Sequence, residues 1–132
     1  MISLGLRENK TTFEPGEEIA GAVLWDFPKP KKTIEVRLVW STRGKGTEDI
    51  AVVATQAFDA TKLADTTTFS FIAPAAPHSF NGTLIALIWA VEFIVDPGDE
   101  FQRIEITIAP GGIEIVLPRI PQPKSLGPIK MN

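Results

Sequence analysis

The sequence predicts an all-β domain, an antiparallel sandwich of about eight strands. Three observations carry this. Apolar residues recur at every second position in one segment after another, as they do in half-buried strands. Glycine- and proline-rich turn signals separate those segments at short intervals. No long stretch repeats its apolar residues with the period of a helix.

Taken in order, Ile2 to Leu6 forms a short first strand. Pro15 and Gly16 suit the two central positions of a type II turn, where proline presets φ and glycine accepts a positive one. That turn leads into a second strand whose apolar face carries Ile19, Gly21, Val23, Trp25 and Phe27. Gly21 falls in phase with large apolar neighbours and marks a place where close packing excludes a side chain. Pro28 to Lys32 must be a loop, because two prolines block ladder hydrogen bonds and three lysines keep it hydrated. Ile34, Val36, Leu38 and Trp40 define the third strand, and Gly44-Lys45-Gly46 breaks the chain before the fourth, Ile50 to Phe58. The link from Asp59 to Asp65 has the length and composition for a helical turn.

Phe69, Phe71 and Ala73 mark a fifth strand, ended by Pro74-Ala75-Ala76-Pro77. The sixth, Leu84 to Val95, is apolar on both faces and interrupted only by Glu92, so it is expected to be central and covered, or buried against a partner chain. A hairpin at Asp96 to Glu100 leads to Ile104, Ile106 and Ile108, with Arg103, Glu105 and Thr107 on the other face. Pro110-Gly111-Gly112 reads as a tight reversal into Ile113, Ile115 and Leu117. Residues 1–117 are thus expected to form one sandwich domain, and residues 118–132 an extended proline-rich tail.

Composition narrows the function classes. The 132 residues contain no cysteine and one histidine, which excludes disulfides, thiolate metal sites, cysteine nucleophiles and multi-histidine centres. A net charge of −3 argues against nucleic acid as a partner. No apolar run reaches the length of a membrane-spanning helix and no basic leader precedes an apolar core, so a cytoplasmic location is expected.

Few residues offer chemistry. His78 stands beside Ser79, but sequence neighbours do not make a catalytic triad and no second histidine is present. Asp96, Asp99 and Glu100 are calcium-type ligands, yet their setting is first of all a hairpin turn. No catalytic residue, cofactor or metal is therefore assigned. Lys29, Lys31 and Lys32 would form an anion-binding patch with Arg43 and Lys45 if both loops emerged at one end of the sandwich. Such a patch attracts phosphorylated peptides or, in peripheral contact, acidic lipid headgroups. Trp25, Trp40 and Trp89 fall in phase with the apolar faces and read as core; exposed, they would serve the alternative function of a small-ligand or carbohydrate-binding sandwich.

Several landmarks resemble the arrestin-like domains in order and spacing. Phe13-Glu14-Pro15-Gly16-Glu17 followed by Ile19, Gly21 and Val23 is similar to the family's aromatic-x-Pro-Gly-Glu opening. Ile34-Glu35-Val36-Arg37-Leu38 resembles its third strand. Pro77-His78-Ser79-Phe80 and Ile88 to Phe93 resemble its Pro-x-Ser turn and long central strand. The likeness runs from Phe13 to Ile108. It implies an immunoglobulin-like sandwich and a non-enzymatic, protein-binding adaptor or scaffold without cofactor. Asp26 lies where some members keep a buried charged cluster, but no arginine partner is assignable, so phosphate-triggered switching is not carried over. Members commonly have two lobes and this length accommodates one. Edges that a second lobe would cover are then open, and self-association is one way to cover them.

Overall fold

A computed structural model describes residues 1–44, 48–82, 85–98, 100–112 and 115–116. The strands are β1 (Ile2–Leu6), β2 (Thr12–Phe13), β3 (Glu18–Asp26), β4 (Thr33–Gly44), β5 (Ile50–Phe58), β6 (Ala64–Ile72), β7 (Phe80–Asn81), β8 (Ile85–Asp96), β9 (Phe101–Ile108) and β10 (Ile115–Val116). A smaller sheet has the order β1-β3-β6. In the larger, β4 lies between β5 and β8, while β7 and β9 share the other edge of β8; β10 extends β7 and β2 extends β9. The long ladders are all antiparallel, as alternating half-buried strands favour.

The inner faces are those the alternation predicts. Ile19, Val23 and Trp25 of β3 and Phe69 and Phe71 of β6 meet Ile34, Val36 and Leu38 of β4 and Trp89, Val91 and Phe93 of β8 in one core cluster. The Trp25 ring lies 5.9 Å from Phe58 and 6.5 Å from Phe93 in tilted contacts that tie the two sheets together. The turn before β3 is closed by Glu17 N–H donating to the Glu14 carbonyl, with Gly16 at φ +89°. This is the type II geometry expected of Pro15-Gly16.

β8 is central, as its doubly apolar pattern requires. On its outer face Ala90 lies opposite Val39 and both are buried, while Ala86, Ile88 and Ile94 are half-buried. Glu92, the one charge in that run, sits opposite Arg103 of β9, and the two form an ion pair at 2.5 Å.

Three expectations change. Strand β6 starts at Ala64 rather than near Phe69, because Thr66, Thr67 and Thr68 pair with β3 and their branched side chains suit an extended backbone. The Asp59 to Asp65 link consequently holds no helix: Asp59 caps a turn by accepting from the Thr61 backbone and hydroxyl. The segment after Pro110 does not fold back on β9. The β9 edge at Thr107 and Ile108 is already taken by β2, so β10 pairs instead, in parallel, with β7. The two-residue strands β2 and β7 are too short to show a period. The predicted tail, residues 118–132, lies outside the described residues.

Candidate functional site

The basic candidates do not converge. Lys29, Lys31 and Lys32 precede β4 and Arg43 stands near its far end, so the two groups lie at opposite ends of the sandwich, about 36 Å apart along an extended strand. Lys31 Nζ donates to the Pro97 carbonyl at 3.0 Å and lies 4.6 Å from the centre of the Phe27 ring, which fastens the loop to the β8–β9 hairpin. Arg43 is paired with Glu105, which also receives Arg103. Lys29 and Lys32 are exposed, and Lys45 lies outside the described residues.

The other chemical candidates are built into the framework. Ser79 is buried and bonds Ile108 twice, its N–H donating to the Ile108 carbonyl at 2.8 Å and its Oγ accepting from the Ile108 N–H at 2.9 Å. It is a strut between the turn and β9. Replacing it, Ser79→Ala, strands the Ile108 N–H in a dry site and is expected to cost about 1–3 kcal/mol. Thermal melting measures this, and an unchanged Tm would refute the role. Trp25 and Trp89 are buried with their indole N–H groups donating to the carbonyls of Lys62 and Pro77, at 3.0 and 2.8 Å. Neither is available to stack on a ligand. Trp40, farther along β4, is half-buried at the rim of the core. Asp26 is exposed, and the buried polar residues among those described are Ser41 and Ser79.

A groove of about 660 Å³ crosses the smaller sheet over Gly5, Ala20, Gly21 and Ala22. At its end Glu18 accepts from Ser70 Oγ at 2.7 Å and from Arg7 at 2.8 Å. The Ser70 bond first, and the arginine second, hold its carboxyl below the ordinary range. This network closes on itself and leaves no group poised for acid–base work.

The informative geometry is at the strand edges. The outer edge of β1 is capped by Gln102 of β9: Leu4 N–H donates to Oε1 at 2.8 Å and Nε2 donates to the Ile2 carbonyl at 3.0 Å. The carboxamide supplies one acceptor and one donor, as a peptide unit of a neighbouring strand would. At the opposite side, Gln56 of β5 does the same more loosely for β6, donating to the Thr68 carbonyl at 3.4 Å and accepting from Ser70 N–H at 3.3 Å. Both edges of the smaller sheet are therefore latched by glutamines to the larger one. Sequence reasoning missed both, although a signal exists. Gln56 falls in phase with Ala54 and Phe58, and Gln102 with Ile104 and Ile106, so each is an amide on an apolar face.

β5 is different. It pairs with β4 along one side, and among the described residues no hydrogen bond reaches the backbone of Ile50–Phe58 from the other. Its nine residues, Ile-Ala-Val-Val-Ala-Thr-Gln-Ala-Phe, carry no charge and no proline. An extra residue, Val53, bulges where the register with β4 shifts, and Ile50, Val52 and Val53 are 69%, 50% and 44% exposed. Long uncharged edges are rare, because each is a template for another strand.

The fold is similar to the crystal structure of Spo0M, a sporulation control protein from Bacillus subtilis, with a TM-score of 0.56 and 15% sequence identity. The alignment covers 82% of this chain and 48% of that one, so the chain spans about half the length of the protein it matches. The likeness shows the arrestin-like β-sandwich fold. No family model and no curated protein sequence matches the chain.

Proposed function

We propose that the chain is a non-enzymatic, protein-binding adaptor module that takes up an extended segment of its partner by strand addition on β5. The observation that carries this reading is the uncharged outer edge of β5, unpaired among the described residues, in a molecule whose β1 and β6 edges are latched by glutamine side chains. Backbone groups of that edge give affinity, and the exposed Ile50, Val52 and Val53 give a partner strand apolar surface to cover. The arrestin-like fold supports a binding role. The convergent groups that catalysis needs are not found among the described residues, where Ser79 is tied to Ile108 and Glu18 to Arg7 and Ser70.

A photo-cross-linking residue at position 53, and in a control at position 103 on β9, tests the reading in cells of the source organism. The expected result is a discrete adduct from position 53 whose cross-linked residues fall within one contiguous segment of a partner, with β5 amides protected from hydrogen exchange in the complex. Adducts of equal yield from both positions, or β5 amides left unprotected, would overturn it.

A further inference from the structure

We infer that the segment accepted by β5 is an apolar strand carrying a basic residue at each end; this rests on the strand-addition reading above. The argument is electrostatic. β5 itself is uncharged, but it is bounded by Glu48 and Asp49 on one side and Asp59 on the other, all exposed. Asp59 is held ionised by its bonds from the Thr61 hydroxyl and backbone, which lower its pKa. Of the cations at this end, Lys62 is directed to Asp65 at 3.4 Å, Lys31, whose N–H donates to the Ala60 carbonyl, turns its Nζ to the Pro97 carbonyl, and Lys32 precedes β4 on the side of β5 away from its outer edge. At the other end the Thr42 N–H donates to the Asp49 carbonyl, and the adjoining cation, Arg43, is paired with Glu105.

This pattern also discriminates between occupants. A second copy paired antiparallel about the middle of β5 would set Asp49 of each chain against Asp59 of the other, a carboxylate opposite a carboxylate at both ends. A strand with arginine or lysine at its two ends places a cation beside each of those carboxylates. The bases must be separated by about nine or ten residues, the roughly 30 Å between Asp49 and Asp59 along an extended strand.

The test uses three fluorescent ten-residue peptides of alternating threonine and valine, ending in arginine, serine or glutamate at both termini, titrated by anisotropy against the full chain. The expected order is arginine, then serine, then glutamate. The first-to-last difference is at least about tenfold in Kd, shrinking with added salt, since exposed charge pairs contribute a few tenths to one kcal/mol each. The triple variant Glu48→Gln, Asp49→Asn, Asp59→Asn keeps the side chains near their original size and the Asp59 turn acceptor, and should bind all three peptides alike. Equal binding of all three by the wild-type chain would leave strand addition standing and overturn the basic-flank inference. Binding of none would overturn both. Sedimentation showing a dimer that the arginine peptide dissociates would assign the edge to a second copy and likewise overturn it.

Discussion

Gly21→Ala is expected to lower the stability of the domain by about 3 kcal/mol, the upper part of the range for forcing atoms into a packed core, and to drop Tm by roughly 10 °C. A Cβ built on Gly21 would lie 2.2 Å from the Gly5 carbonyl oxygen and 2.7 and 2.9 Å from two atoms of the Phe69 ring. The ring can turn aside. The carbonyl cannot, because Gly5 belongs to β1 and is held in the ladder with β3 at Ala22. Relief therefore requires β1 to move away from β3, which loosens the ladder from Ile2 to Leu6 and the Gln102 bonds beyond it. Gly5→Ala provides the control, since a Cβ there meets nothing within 4 Å; it should change stability by less than about 1 kcal/mol. Adding Phe69→Leu to Gly21→Ala should recover only a minor part of the loss, because it leaves the backbone oxygen in place. Urea titration of the four proteins measures all of this. A Gly21→Ala midpoint close to that of Gly5→Ala would show that the sheet absorbs the methyl group.

Gly21 also shows what the sequence makes readable. Its phase with Ile19, Val23 and Trp25 puts it on the inner face, and a glycine in that phase signals a close approach; only the fold reveals that the approaching atom is the Gly5 carbonyl. Period-two alternation reports the face of a residue and not the neighbour of a strand. The inner-face residues of β3, β4, β8 and β9 were consequently evident, and Ile50–Phe58 was placed to the residue. That β5 is an edge was not, because an edge strand with one buried face alternates like any other. The separation of Lys29, Lys31 and Lys32 from Arg43 has a simpler reason: β4 runs between them and puts them at opposite ends, whatever sheet it joins. Strands of two residues and parallel pairs such as β7 with β10 depend on contacts between residues distant in sequence, and leave no local trace.

Gln102 ties the two sheets together through a single side chain. Gln102→Leu preserves the volume but removes both the acceptor for Leu4 N–H and the donor to the Ile2 carbonyl in a part-buried site, and should cost about 2–3 kcal/mol. Amide hydrogen exchange at Leu4 should accelerate in step with that loss, whereas a side chain that merely fills space would leave Leu4 protected. Gln102→Glu separates the two bonds. The new carboxylate can still accept from Leu4, but its second oxygen faces the Ile2 carbonyl oxygen, so the ionised form is disfavoured in the folded state and its pKa is raised above the unfolded value. A raised folded pKa means that the folded chain binds the proton more tightly. The variant is therefore weakest relative to wild type at neutral pH, and the gap narrows as pH falls through the raised pKa towards the unfolded value near 4.3. Protonation restores an O–H donor to Ile2, and with it the pairing a peptide unit would supply. A gap that stays constant between pH 7 and 4 would mean that the Nε2 bond to Ile2 contributes nothing and that Leu4 alone holds the edge. A gap that closes would establish Gln102 as the element joining β1 to β9.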